Sequence, residues 1–342
     1  MSKIVGLGEY LLRLTPAETG QRFAQADDLK MYFGGSEANA LAALSEFGDD
    51  AYYVTKIPEH AIGQSAVNAL KRYGVHTDYI VRGGDKLGLY YAEAGAALRP
   101  GSIINDRKGS AFAQAEPDEF DWDAIFDGAD LFHWSGITPA LSASAARITE
   151  RACREAKKHH VTVSCDLNYR GRLWKPEEAQ KVMKPLMQYV DICVSNEADA
   201  YNCLGYPLVM ESDHGRVNEQ ACYDAMKKMA EEYGFSILTS TISENRGAND
   251  SSFASMLYDG NFYVGQYMSI DPVVERIGPG DSFTGGLLHA LLKWKDRQLA
   301  ISFAAASAAV KYTMPGDMPW LSEAEVLSVI KGKGNGDGSV QR

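Results

Sequence analysis

Asp281 directly follows Gly278-Pro279-Gly280 and precedes the apolar positions Phe283, Leu287, Leu288 and Leu291. This spacing predicts a helix that opens at a glycine turn, with Asp281 and Ser282 as N-cap candidates. Val273, Val274 and Ile277 predict the end of an extended segment leading into it. Backbone N–H groups and the positive end of the helix dipole would then converge on one small volume, an arrangement that suits a phosphate. A carboxylate beside an anion site can take the proton of a hydroxyl that attacks phosphorus. That is phosphoryl-transfer chemistry, in which positioning and charge stabilisation do most of the catalysis. A capped core helix after a glycine turn satisfies the same local pattern.

Three other stretches carry polar groups where a ligand could reach them. Gly34-Gly35 lets backbone approach a ligand closely at the start of an apolar helix, and Asn39 lies one turn into that helix. Arg170 ends the run Asp166-Leu-Asn-Tyr-Arg just past the strand-like Val161 to Cys165. Polar residues there sit at the carboxyl edge of an open α/β sheet, where such sheets bind ligands. Asn196 and Asp199 open a helix at the same edge, although the dipole favours a first-turn carboxylate in any case. Arg107 and Lys108 offer two cations in a loop, where a charge pair is ordinarily solvated.

The elements that must position these residues alternate. Strand-like runs at 4–7, 52–57, 79–81, 131–134, 161–165, 192–194 and 237–241 are separated by helical patterns at 40–47, 62–73, 142–160, 176–189 and 219–233. Two more helices follow at 300–312 and 323–331. This predicts a mostly parallel sheet covered by helices. Short strand-like pieces at 10–14, before Gly34, at 87–93 and at 102–105 interrupt the alternation and predict a small separate lid, formed by about 10–34 and 86–112. Residues 205–218 read as an irregular polar insertion and 242–249 as a loop. Two strands at 253–258 and 262–266 are joined by the hairpin signal Asp259-Gly260, and 332–342 is expected to be a mobile tail.

Composition narrows the classes. With 342 residues the chain is long enough for one large α/β unit, and its net charge of −11 leaves no basic field for nucleic acid. No signal-type block and no stretch of eighteen apolar residues is visible, so a soluble, cytoplasmic protein with no membrane partner is expected. Five cysteines without a C-x-x-C pair point to neither a disulfide framework nor a zinc site. The first-strand turn Gly6-Leu-Gly8-Glu-Tyr-Leu lacks the third small residue of a dinucleotide fingerprint, and no Gly-x4-Gly-Lys-Ser/Thr loop occurs.

With Gly34-Gly35 near one end and Gly278-Pro279-Gly280-Asp281 near the other, the chain resembles the ribokinase-like (PfkB) carbohydrate kinases over residues 3–331. Within that family it is most similar to the 2-keto-3-deoxygluconate kinases. The similarity runs through Gly6-x-Gly-Glu9, Gly88-Leu-Tyr-Tyr91, Arg107-Lys-Gly-Ser-Ala111, His133 to Leu141, Asp166 to Arg170 and Pro315-Gly316-Asp317.

The resemblance implies one αβα sandwich over residues 1–331, with sugar beneath a small β-sheet lid and ATP across the carboxyl edge of the sheet. It makes Asp281 the base and the Gly278 to Asp281 backbone, Gly280 included, the anion hole. Gly34, Gly35, Asn39, Tyr90, Arg107 and Arg170 match sugar-contacting positions, and Asn168, Asn196, Thr239 and Thr241 fall near the nucleotide. It also implies Mg2+, reached by Asp199 through water, a possible monovalent cation, and a homo-oligomer. Two arginines converging on a keto acid would supply the charged hydrogen bonds its carboxylate needs.

Four departures stand out. Pro279 removes one N–H from the anion hole. Asp199 stands where Glu is usual, Ser243 to Asn249 replace a Gly-x-x-Gly loop, and Asn105 replaces an aromatic near the lid arginine.

The expected function is ATP-dependent phosphorylation of the 6-hydroxyl of 2-keto-3-deoxygluconate. The alternatives are a kinase for fructose or another ketose, and a sugar- or nucleotide-binding protein without turnover. Asp281 argues against the latter, since a binding module needs no base. A nicotinamide-dependent oxidoreductase lacks its fingerprint.

Overall fold

A computed structural model describes residues 2–208, 212–213, 216–245 and 247–332. The chain opens with β1 (Lys3–Leu7), β2 (Leu11–Pro16), β3 (Leu29–Gly34), α1 (Ser36–Glu46), β4 (Asp50–Ile57), α2 (Ala61–Arg72), β5 (Ile80–Arg82), β6 (Gly88–Glu93) and β7 (Ser102–Asp106). The middle carries α3 (Trp122–Phe126), β8 (Leu131–Ser135), α4 (Ile137–Ala140), α5 (Ala143–Lys158), β9 (Thr162–Asp166), α6 (Pro176–Leu186), β10 (Ile192–Ser195) and α7 (Glu197–Leu204). After the two-residue strands β11 (Ser212–Asp213) and β12 (Arg216–Val217) come α8 (Glu219–Tyr233), β13 (Ile237–Asn245), β14 (Ser251–Tyr258), β15 (Phe262–Val264) and β16 (Met268–Ile270). The chain closes with α9 (Pro279–Lys293), α10 (Arg297–Lys311) and α11 (Glu323–Ile330).

The main sheet runs β15-β14-β13-β10-β9-β8-β1-β4-β5, with β16 beside β14. From β13 to β5 the pairs are parallel, and β14 to β16 add an antiparallel margin. Parallel strands covered on both faces read as continuous apolar runs, and all five residues of β8 are buried. One core cluster joins the sheet to α3, α5, α6, α7 and α8, and a second joins its other face to α1, α2, α9, α10 and α11. This is the expected αβα sandwich. No helix among the described residues is long and apolar enough to cross a membrane.

The interrupting pieces form a separate four-stranded sheet, β3-β2-β6-β7. Its register sets Arg13 opposite Tyr32 and Tyr90, and Tyr90 opposite Asn105, so these side chains share the face turned towards the main body. The alternation Leu11-Leu-Arg-Leu-Thr15 places Arg13 inside and Leu12 and Leu14 on the half-exposed outer face.

Three expectations change. Residues 242–245 extend β13 rather than forming a loop, because β14 pairs with them residue by residue as far as Asn245 opposite Ser251. Val273 to Ile277 is not extended strand, since the N–H groups of Val274 and Glu275 both donate to the Tyr312 carbonyl at 2.9 and 3.1 Å. The N-cap of α9 is Gly278, not Asp281 or Ser282, which puts Asp281 in the first turn. Most of the presumed tail, 333–342, lies outside the described residues.

Candidate active site

Gly278 takes φ 91°, a backbone conformation glycine favours, and turns the chain into α9. Pro279 fills the first helical position, where no donor is missed by the helix. Ser282 N–H donates to the Gly278 carbonyl at 2.9 Å, which leaves the N–H groups of Gly280 and Asp281 as first-turn donors without an intrahelical partner. A Cβ placed on Gly280 would meet nothing within 4 Å, so open volume lies against these donors.

Across from this turn stands the first turn of α1. The Ser36 hydroxyl donates to Oδ1 of Asp281 at 2.8 Å and the Asn39 amide donates to Oδ2 at 2.7 Å. Asn168 in turn donates to the Ser36 hydroxyl at 2.9 Å. Burial pushes the Asp281 carboxyl above the usual range, while Asn39, Ser36 and the Arg170 charge pull it back. Glu37 points the other way and anchors α1 to the end of β8. It accepts from the Ser135 N–H at 3.0 Å and from the hydroxyls of Ser135 and Thr138 at 2.7 Å each. Buried carboxylates need such donors, so the two helix starts are held in fixed register.

Two cavities meet at Asp281. One, of about 490 Å³, is lined on its polar side by Asp166, Asn168, Asn196, Asp199, Thr241 and Gly280. The other, of about 510 Å³, lies under the lid against Gly35, Asn39, Tyr90, Asn105, Arg107 and Asp317. Asp281, Arg170, Ile103 and Ile277 line both. Gly34 and Thr239 line neither. Gly34 lies against the Asp317 side chain, and Thr239 is buried in the sheet with its hydroxyl unpaired among the described residues.

Arg170 is exposed and donates to the Tyr169 carbonyl at 3.0 Å, with no ion pair among the described residues. Arg107 is committed to Glu9, its Nε donating to Oε2 at 2.7 Å. Asn196 caps α7 by accepting from the Asp199 N–H at 2.9 Å, and its amide donates to the Asp199 carboxylate at 2.8 Å. Burial raises Asp199, against the pull of Arg170, and raises Asp166 well above the usual range, with Asp199 and Asp281 adding to the effect.

Sequence reasoning missed Ser36, although a hydroxyl beside Gly34-Gly35 and three residues before Asn39 shares that helix face. It also missed a charged cluster behind the lid-side cavity. Arg13 donates to Glu275 at 2.7 Å and to Asp317 at 2.9 Å, and the Tyr90 hydroxyl donates to the other Asp317 oxygen. A lone arginine in the apolar run of β2 was the available signal.

The sequence profile of the pfkB family carbohydrate kinases matches residues 1–323. The chain belongs to this family. A 2-dehydro-3-deoxygalactonokinase of Haloferax volcanii is 32% identical over 343 residues, covering 100% of this chain and 99% of its own. A 2-dehydro-3-deoxygluconokinase of Thermoproteus tenax is 28% identical, with 96% and 94% covered. Among solved structures, a 2-dehydro-3-deoxygluconokinase of Thermotoga maritima superposes with a TM-score of 0.92 at 40% identity, covering 97% of this chain and 100% of that one. As a PfkB carbohydrate kinase the chain is a phosphotransferase acting on a sugar hydroxyl, and Asp281 is a carboxylate that lines both of its cavities.

Proposed function

We propose that this PfkB kinase transfers the γ-phosphoryl group of ATP to the 6-hydroxyl of 2-keto-3-deoxygluconate, the compound also called 2-dehydro-3-deoxygluconate. The observation that carries the reading is a carboxylate, Asp281, on the boundary between two cavities and one residue from an open anion-binding turn. The sugar sits under the lid and the nucleotide lies along Asn168, Asn196, Asp199 and Thr241. Asp281 takes the proton of the attacking hydroxyl, Ser36 and Asn39 aim the carboxylate, and the N–H groups of Gly280 and Asp281 with the α9 dipole stabilise the transferring group.

Mg2+ fits the oxygen donors Asp166 and Asp199, directly or through water. Among the described residues no three acidic, His or Cys side chains cluster as a metal cage, which suits an ion carried mainly by phosphate and water. When bound it would offset charge on the phosphates. The similarity to the Haloferax galactono-kinase supports a second reading, in which the C4 epimer is also accepted.

The test compares kcat/KM of Arg107→Ala and Arg170→Ala on 2-keto-3-deoxygluconate, its C4 epimer and fructose at saturating ATP. If the arginines share the carboxylate, each should cost roughly ten- to a hundredfold on the keto acids and less on fructose, since a charged hydrogen bond contributes about 1.5–3 kcal/mol. Equal losses on all three sugars, or better wild-type turnover of fructose, would sink the keto-acid reading.

Two further expectations belong to this proposal. The sheet formed by about 10–34 and 86–112 closes on sugar, so saturating sugar should slow amide exchange in β6 and β7; unchanged exchange removes the lid. Its outer face carries Leu29 and Met31 at 45% and 50% exposure with Leu12, Leu14, Tyr91 and Ile104 beside them, an apolar surface that a second copy would cover. Light scattering should therefore give a dimer, and Leu14→Glu should give a monomer. A monomeric wild type at micromolar concentration argues against that interface.

A further inference from the structure

Lys311 is a buried charge that the reaction as derived above does not use. It is the last residue of α10 and is fully enclosed. Its ammonium makes no ion pair among the described residues. Instead it donates to two backbone carbonyls of the following loop, Gly316 at 2.8 Å and Met314 at 3.2 Å. An isolated buried ammonium is costly, and burial draws its pKa down to about 8, while the charges of Glu275, Asp317 and Asp281 oppose that shift and Arg13 adds to it.

The position is specific. A Cβ placed on Gly278 would lie 3.1 Å from Cε of Lys311 and would collide with the Asp317 carbonyl. The lysine stem therefore packs directly beneath the turn that opens α9, and the loop it binds leads to Asp317 in the floor of the lid-side cavity. Backbone carbonyls ligate bare metal ions in some sites and accept from lysines near helix ends in others. Here a side chain supplies the charge covalently, next to donors that must stabilise a developing anion.

We propose that Lys311 is the built-in cation of the anion hole: a positioning residue whose ammonium holds loop 314–317 against the Gly278 turn and adds positive potential there, so that turnover needs no monovalent metal ion. The inference rests on the kinase reading above. It assigns Lys311 an effect on kcat rather than on the KM of the sugar, because the ammonium reaches neither cavity.

The experiment measures ADP release at constant ionic strength in sodium, potassium, ammonium and choline chloride, with whichever sugar the wild type turns over. Wild-type kcat should agree within twofold across the four salts. Lys311→Ala, checked for folding by near-UV circular dichroism, should lose about ten- to a hundredfold in kcat with sugar KM little changed. Potassium, ammonium or methylammonium should restore part of that loss, as small cations enter the vacated space.

Wild-type stimulation above twofold by potassium overturns the proposal, and that measurement stands even if the variant fails to fold. A folded variant with kcat within twofold of wild type, a loss confined to sugar KM, or a loss that no small cation relieves would overturn it as well. A wild type inactive on every sugar would be a failure of the kinase reading itself.

Discussion

Asp281→Asn should lower kcat by about 10²–10⁴ while sugar affinity changes only by a small factor, because the loss of a general base alone has that size. The substitution keeps the shape of the side chain and one acceptor oxygen. The Ser36 hydroxyl can turn to accept from the new amide, so the hydrogen-bonded contact with α1 survives in large part. What is lost is the ability to take a proton at the boundary of the two cavities. Turnover and calorimetric sugar binding, measured on the same purified protein, separate the two effects. Turnover within tenfold of wild type would mean that Asp281 is not the base.

The second large effect is on stability. Arg13→Met should destabilise the protein by about 3–5 kcal/mol, the range found when one partner of a buried ion pair is removed. Arg13 and Asp317 have 4% and 2% of their side chains exposed, and Glu275 has 13%. Methionine fills the same narrow space but leaves two carboxylates without the guanidinium that pairs them. Burial already raises the Asp317 carboxyl, and Arg13 and the Tyr90 hydroxyl are what hold it down. The check is a urea titration, with Asp317→Asn added to Arg13→Met. The double variant should recover part of the loss, because it removes one of the two stranded charges. A single-variant loss below 1 kcal/mol would show that solvent reaches this cluster.

The layered fold was legible because its cause is local. Buried parallel strands such as Leu131 to Ser135 are mostly apolar, and the lid strands show themselves by breaking the alternation between such runs and helices. Asp281, Asn39 and Gly35 were legible as a pattern of turn, helix start and polar group, and the structure brings them to one cavity wall. What was not legible depends on partners far along the chain. Polar residues after Thr241 extend a strand only because β14 pairs with them. Val273, Val274 and Ile277 read as strand, yet their segment lacks a ladder partner and stays irregular. Nothing near Lys311 in sequence announces that its charge ends among the carbonyls of the next loop under a glycine 33 positions earlier (311 − 278).

The Arg13 to Asp317 contact joins residues 304 positions apart, and this has a consequence for synthesis. A ribosome adding about 5–20 residues per second reaches Asp317 roughly 15–60 s after Arg13. Until Glu275 is made the arginine of β2 has neither carboxylate partner, and until Asp317 is made it lacks the second, although the lid strands are complete once Asp106 has been added. The second carboxylate lies in the last tenth of the described chain, so a polypeptide released between Ile270 and Asp317 carries every described strand but cannot pair the lid's buried cation with the residue that lines the cavity floor. Completion of this buried cluster thus waits for Asp317, well after the last described strand is made.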